Sequence, residues 1–154
     1  IVGILNLILA LHFTVLAGSD MMHGLLPNRI ILSGLAFTLA LRVVAPLQAG
    51  GAVIGMGFGP SLRDGLIGAA LGFGFFFLVA LIKPGAMGGG DIKMAALVGL
   101  YLGAWRVFPA LGLGFILSSL YSVPLMIAGK LKRTDTLPLG IFLSIATLIV
   151  ALAR

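Results

Sequence analysis

Long apolar segments joined by short polar connections make up almost all of this 154-residue chain. A helix needs about 20 mostly apolar residues to cross a bilayer. Five segments have that character: 1–18, 30–47, 65–83, 107–128 and 137–153. Each is much longer than the roughly 10 residues of a membrane barrel strand, so the pattern predicts transmembrane helices.

A sixth apolar segment, 92–105, is shorter and carries Lys93 near its start. At about 1.5 Å per residue it reaches about 21 Å as a helix, roughly two-thirds of the hydrocarbon core of a bilayer. We therefore expect it to begin part-way into the membrane or at its surface. The predicted fold class is all-α, a polytopic membrane protein with about six transmembrane helices. Such short connections leave room for a single domain, 1–154, without a soluble module.

The composition agrees with an integral membrane protein. Hydrophobic residues make up 60% of the chain and charged residues 9%, whereas a soluble domain carries about 25% charged residues. The net charge of +6 does not indicate nucleic acid as a partner, because the basic residues are scattered mostly singly and mainly report membrane orientation. There is no cysteine, so disulfides and thiol chemistry are excluded.

The basic residues also predict which side of the membrane each connection occupies. With six spans, the connections 19–29, 84–91 and 129–136 share one side, and six of the ten Lys and Arg residues lie at or near them. The positive-inside rule therefore places this side in the cytoplasm and both termini outside.

Glycine accounts for 23 residues, and part of it is spaced for helix packing. Gly68 with Gly72, and Gly99 with Gly103, have the small-xxx-small spacing that lets helices approach closely, so we predict packing faces there. The stretch GGAVIGMGFGP, residues 50–60, follows no strand–helix–strand pattern. A nucleotide-binding loop is therefore not expected, and the stretch is interpreted as a flexible or re-entrant external loop.

All four acidic residues are aspartates. An ionisable residue in or beside a transmembrane segment indicates function by default, because a buried charge costs at least ~2.5 kcal/mol in lipid. Asp64 adjoins Arg63, and a local ion pair or a favourable charge at a helix start explains it. Asp135 lies in the polar stretch KLKRTDT and is interpreted as a solvated loop charge.

Asp20 and Asp91 differ from the other two, and both fall on the predicted cytoplasmic side. Two carboxylates brought together share a proton, because one of the two pKa values rises. Aspartic proteolysis needs that arrangement: one carboxylate takes a proton from water while the other, protonated, polarises the scissile carbonyl. The glycines at 88–90 would then give the backbone unusual conformations and let a substrate backbone approach closely.

The residues alone leave simpler explanations open. Asp91 can be a helix cap with the glycines as its loop, and Asp20 can end the first helix in an ordinary turn before Pro27. No cofactor or metal is expected, because there is no HExxH motif and His12 and His23 stand apart from any ligand cluster.

The stretch GGGDIKMAALVGLYLG resembles the GxGD signature of the type IV prepilin peptidase family. That signature typically reads GxGDxK followed by small and apolar residues. The matching positions here are Gly88, Gly90, Asp91 and Lys93. The resemblance implies that Asp91 is a catalytic carboxylate of a membrane-embedded aspartic endopeptidase.

A second motif and the last apolar segment are also similar to this family. The family places its other catalytic aspartate seven residues before a Pro-Asn or Pro-Asp pair, and here Asp20 has that spacing to Pro27 and Asn28. The final segment opens with LPLGIFLSIATL, similar to the Pro-x-Gly start of the family's last helix. The resemblance thus covers most of the chain, and implies that Asn28 fixes a turn.

The chain looks most similar to the short Tad/Cpa-type members, which process small Flp prepilins. This implies a multi-pass protein of the bacterial inner membrane that cleaves the prepilin leader at the cytoplasmic face. Its partners would be the prepilin, membrane lipid and possible pilus assembly components. Longer members carry a further cytoplasmic domain, usually with paired cysteines, that is associated with N-methylation; its absence here puts methyl transfer in doubt.

His23 and Lys93 are titratable residues in the two aspartate motifs. Short members often have several basic residues between the first aspartate and the proline, where this chain has MMHGLL; His23 is interpreted as an exposed loop residue, with modulation of Asp20 as the alternative. Lys93 either favours the ionised form of Asp91 or anchors at the interface.

The rival functions are a small transporter or channel that uses Asp20 and Asp91 as proton or cation relays, and a catalytically silent assembly partner.

Overall fold

The computed structural model describes residues 8, 11–15, 18, 28–48, 61–84, 88–130 and 139–153. Within these residues the chain is helical, with no strand, which confirms the predicted fold class at the level of secondary structure. Residues 11–15 are helical, and five complete helices follow: α1 Asn28–Gln48, α2 Leu62–Ile82, α3 Gly89–Leu102, α4 Val107–Ile127 and α5 Leu139–Leu152. These correspond to five of the six predicted segments; most of the first segment lies outside the described residues.

Among the described helices, α2 and α4 are long and apolar enough to cross a membrane, with 21 residues each. Only 22% of the most apolar stretch of α2 and 28% of that of α4 is buried inside the protein. An apolar helix that leaves most of its surface uncovered is unfavourable in water, so lipid is the natural surrounding for these faces. The structure supports these two candidate spans by length and composition.

The short helix α3 forms the centre of the described fold. It contacts all four of the other complete helices, and eight of its 14 residues are buried. Met94, Ala95, Leu97 and Val98 are almost completely inaccessible to solvent. The segment predicted as shorter than a full span is therefore the innermost helix, and its start, not its middle, carries the charged residues Asp91 and Lys93.

The glycine faces predicted from the sequence hold α2 and α3 together. A Cβ at Gly68 would overlap the carbonyl oxygen of Gly99 and the backbone of Gly103. One turn further, a Cβ at Gly72 would overlap the carbonyl oxygen of Ala95. The two backbones are thus in direct contact and run antiparallel, which confirms the packing role assigned to both glycine pairs.

Buried hydroxyl groups in the helices hydrogen-bond within their own backbone. Ser122, Ser144 and Thr147 each donate to the carbonyl oxygen four residues earlier, over 2.6–2.8 Å. Such internal bonds satisfy polar groups without a partner from another helix, as an apolar surrounding requires. These side chains are therefore explained by local structure and need no role at a site.

Contacts along the helices define two ends of the molecule. The Asp91 end comprises Asn28 and residues 88–93, where α1 and α3 both begin. The Arg42 end comprises Arg42, residues 61–65 and residues 100–104, where α2 begins and α3 ends. Helix α1 runs parallel to α3, because Asn28 contacts Lys93 at one end and Arg42 contacts Leu100 at the other.

Candidate active site

Asp91 lies in the first turn of α3, which begins at Gly89, three residues before the predicted segment 92–105; Asp91 is therefore neither outside the helix nor its cap. Gly88 is the N-cap residue, and its carbonyl oxygen accepts a hydrogen bond of 3.1 Å from the Asp91 N–H. The Asp91 side chain is half-buried. A carboxylate at this position is stabilised by the unpaired N–H groups and the dipole of the helix start. Asp91 is therefore held at the boundary between the buried helix and its exposed entrance.

The glycines before Asp91 do not adopt the unusual backbone conformations expected for them. Gly88 is extended, with φ −73° and ψ 145°, and Gly89 and Gly90 are already helical. Among the described residues only Gly103 and Gly129 have positive φ. The conformational reason given for residues 88–90 is therefore wrong: any residue could adopt these backbone angles.

The second reason given for the glycines, close approach, agrees with the surroundings of Gly88 and Gly89. Both residues are exposed. Among the described residues, a Cβ at Gly89 would have no atom within 4 Å, and a Cβ at Gly88 would meet only the Asp91 carboxylate, at 3.3 Å. Within this part of the chain, only Asp91 therefore stands close to where a side chain at Gly88 or Gly89 would lie.

The two sequence motifs meet through Lys93 and Asn28. The Lys93 Nζ donates a hydrogen bond of 2.8 Å to Asn28 Oδ1, across 65 positions of sequence. Asn28 is the first residue of α1, and Lys93 lies in the first two turns of α3. The beginning of α1 and the beginning of α3 are therefore neighbours, and the hydrogen bond that the structure gives Lys93 goes to the other motif.

Asp20 and Pro27 lie outside the described residues, as do His23 and Asp135. The distance between the carboxylates of Asp20 and Asp91 therefore stays a prediction. Asn28, the last residue of the Asp20 motif, lies at the Asp91 end of the molecule, where it contacts Lys93. That placement is compatible with a shared site, with both carboxylates about 4–12 Å apart in the absence of substrate.

Of the two explanations given for Asp64, a favourable charge at a helix start is confirmed, because Asp64 lies in the first turn of α2; its cationic partner is Arg42 and not the expected Arg63. Its backbone N–H donates to the N-cap Ser61 Oγ at 3.2 Å, and its carboxylate accepts a hydrogen bond of 3.2 Å from the Ala104 N–H. The cation that interacts electrostatically with it is the buried Arg42, whereas the adjacent Arg63 is exposed. Asp64 thus belongs to the Arg42 end, opposite Asp91, and its predicted exclusion from the catalytic pair agrees with this position.

Arg42 is a residue that the sequence reasoning used only to infer orientation. It is 3% exposed, within α1, and donates to carbonyl oxygens at the end of α3. The available signal was a single arginine in a long apolar segment, which by itself indicates a paired or functional charge. Elsewhere in the described part of the chain, no three His, Cys, Asp or Glu side chains come together as metal ligands.

Comparison with known proteins identifies the family. Residues 7–123 match the type IV leader peptidase family, and the chain belongs to it. The prepilin leader peptidase/N-methyltransferase of Bacillus subtilis (strain 168) is 34% identical over 124 residues, which cover 80% of this chain and 45% of that protein. The chain thus spans less than half the length of this relative. No solved structure matches the chain.

Proposed function

We propose that this protein is a membrane-embedded aspartic endopeptidase that removes the leader peptide of type IV prepilins. Membership in the type IV leader peptidase family and the name of the B. subtilis relative support the activity and the substrate class. The observation that carries the assignment to this site is the hydrogen bond between Lys93 and Asn28. It joins the motif that contains Asp91 to the residue that closes the Asp20 motif.

The proposed chemistry uses Asp20 and Asp91 as a pair that shares one proton. The ionised carboxylate takes a proton from the attacking water, and the protonated one donates a hydrogen bond to the scissile carbonyl. Two carboxylates at close range favour this state because both cannot ionise easily. Lys93, held by Asn28, keeps the entrance of α3 next to the Asp20 connection.

The open backbone at Gly88 and Gly89 is the proposed place for the substrate chain. An extended leader needs to approach the Asp91 carboxylate without meeting side chains, and within the described part of the chain no atom stands within 4 Å of a Cβ at Gly89. The apolar helix of a prepilin would then lie beside the apolar faces of the protein, in lipid. This arrangement places the scissile bond where the aqueous and apolar surroundings meet.

The finer details of the proposal concern topology and substrate subtype. We propose six spans in the bacterial inner membrane, with the Asp91 end towards the cytoplasm, and a small Flp-like prepilin as substrate. Pilus assembly components are proposed only as possible partners. The methyl transfer in the name of the B. subtilis protein is not included, because the similarity covers less than half of that protein.

The test is cleavage of a co-expressed prepilin, followed by the size shift that loss of the leader produces. Asp20→Asn and Asp91→Asn should each reduce cleavage by about 10²-fold to 10⁴-fold with near-normal protein levels, because each role needs a carboxyl group. Asp135→Asn is the matched control and should cleave normally. Near-parental cleavage by either Asp20→Asn or Asp91→Asn would refute the pair, and proton flux through reconstituted liposomes would then favour a transporter.

Substrate subtype is tested separately with two substrates in the same assay. A short Flp-like prepilin and a longer type IV prepilin are presented at equal levels, and the cleaved fraction of each is measured. We expect faster cleavage of the short substrate. Equal rates, or preference for the long one, would contradict the Flp assignment without affecting the peptidase assignment.

A further inference from the structure

We propose that Arg42 and Asp64 form a positioning element that sets the depth of Asp91 in the protein. This inference rests on the proposed function for its consequence, since the depth of Asp91 matters to leader cleavage only if Asp91 is catalytic. The contacts that carry the inference lie at the end of α3, next to Arg42 of α1 and Asp64 of α2. This helix starts at the proposed site and ends against Arg42.

Arg42 provides hydrogen-bond partners for the end of α3. The Arg42 Nε donates to Leu100 O at 2.6 Å, and one of its terminal nitrogens donates to Tyr101 O at 3.1 Å. The last carbonyl groups of a helix have no partner within it, and in an apolar surrounding each needs one. Arg42 is the hydrogen-bond partner of two of these carbonyl groups, and its planar guanidinium has fixed donor directions.

The same Arg42 guanidinium also contacts a third helix, α2. Its other terminal nitrogen donates to the carbonyl oxygen of Ser61, the N-cap residue of α2. Asp64, in the first turn of α2, interacts electrostatically with Arg42 and accepts from the Ala104 N–H just beyond α3. One buried cation therefore ties α1, the start of α2 and the end of α3 together.

Two glycines leave the space that the Arg42 and Asp64 side chains occupy. A Cβ at Gly65 would overlap the Arg42 guanidinium, and a Cβ at Gly103 would overlap the Asp64 carboxylate. Gly103 also has φ +89°, a conformation that other residues rarely adopt. The site of the cation is therefore built by the backbones around it and has little freedom to rearrange.

The hydrogen bonds from Arg42 also limit movement of α3 along its axis. The glycine contacts between α2 and α3 set a short distance between the helices. The directional hydrogen bonds from Arg42 to Leu100 and Tyr101 add a constraint along the axis of α3. Asp91 lies nine residues before Leu100, about 14 Å along the same helix, so a displacement at one end is transmitted to the other.

The experiment uses the fact that the chain contains no cysteine. Asp91→Cys provides a single thiol, and its rate of reaction with a water-soluble maleimide reports how accessible position 91 is, independently of cleavage. Arg42→Gln in this background should raise the labelling rate severalfold, because α3 loses its anchor. Arg63→Gln is the matched control, since Arg63 is exposed on α2 next to Asp64, and it should leave the rate unchanged.

With Asp91 restored, Arg42→Gln should lower kcat for leader cleavage by about 10-fold to 100-fold with little change in KM, because a small misplacement of a catalytic group is enough. Arg42→Lys should not restore it, because a single ammonium group lacks the planar fork that reaches carbonyl groups of two helices. If Arg42→Gln does not fold, Asp64→Asn serves instead. It removes the charge opposite Arg42 but keeps an acceptor for Ala104, and should give a smaller change in the same direction.

An unchanged labelling rate in folded Arg42→Gln or Asp64→Asn protein would overturn the proposal. So would a loss of cleavage that only follows the loss of folded protein, with kcat per folded molecule unchanged. If the unmodified protein cleaves no prepilin, the proposed function fails, and the labelling rates still decide whether Arg42 positions α3.

Discussion

The two ends of α3 both contain glycine, but glycine serves opposite purposes at the two ends. At the Asp91 end, Gly88 and Gly89 are exposed; among the described residues, only the Asp91 carboxylate would meet a Cβ at Gly88, and nothing would meet one at Gly89. Near the Arg42 end, Gly68 and Gly99 are buried, and each would drive a Cβ into the backbone of the other helix. The same residue type leaves a surface open in one place and closes an interface in the other.

The polar contacts differ in the same way. Lys93 and Asn28 share one exposed hydrogen bond at the Asp91 end. Arg42 is buried, and its guanidinium donates to the carbonyl oxygens of Ser61, Leu100 and Tyr101. Loss of an exposed hydrogen bond costs little folding stability because water replaces the partner, whereas a buried charge that loses its partners is strongly unfavourable. The Arg42 contacts should therefore contribute more to folding stability than the contact between Lys93 and Asn28.

The largest expected effect is on folding, at the closed interface. Gly68→Ala should destabilise the protein by about 1–3 kcal/mol or more, because a new methyl group overlaps backbone that cannot move aside. The measurement is the midpoint of thermal unfolding in detergent, together with the yield of folded protein. A melting midpoint equal to that of the parent would show that α2 and α3 are not packed through this glycine.

The next effect is on activity, at the contact between the two motifs. Lys93→Met should lower leader cleavage by about 10-fold to 100-fold through misplacement of the Asp91 turn, with little change in melting temperature. Lys83→Met is the control, because Lys83 is an equally exposed lysine just after α2. Asn28→Ala should act similarly, and the double variant should lose less than the sum of both if the bond itself matters.

A smaller effect separates the open glycines from the closed ones most directly. Gly89→Ala should raise stability by about 0.5–1 kcal/mol, because alanine favours the helix and the new methyl group meets open space. Cleavage should nevertheless fall severalfold, because the methyl group stands where we propose that the leader approaches. Unchanged cleavage in a stabilised Gly89→Ala protein would show that the substrate chain does not pass this residue.

The smallest effect is the reference for the other three. Gly74 lies on α2, and among the described residues a Cβ there would have no atom within 4 Å. Gly74→Ala should therefore raise stability by about 0.4–1 kcal/mol and leave cleavage at the parental rate. Reduced cleavage in this variant would mean that loss of glycine flexibility on another helix also affects activity, and would weaken the conclusion drawn from Gly89.

The sequence predicted the helices well because their lengths and apolar character are local properties of the chain. The segment 107–128 is the helix Val107–Ile127, and the short segment 92–105 is the helix Gly89–Leu102. The glycine spacing at Gly68 and Gly72 correctly indicated a packing face, because residues four positions apart lie on one side of a helix. The motifs around Asp91 correctly indicated the family.

Spacing along the chain could not show which distant residues meet, or from which direction. Asp64 stands next to Arg63 in sequence but interacts electrostatically with Arg42, because consecutive residues of a helix point to different sides and α1 contacts α2. The glycine run at 88–90 was expected to need special backbone angles, yet only its surroundings distinguish it. The sequence by itself determined the helices, their apolar faces and the family; the tertiary structure decided the partners of Lys93, Asp64 and Arg42, because those contacts depend on how the helices pack.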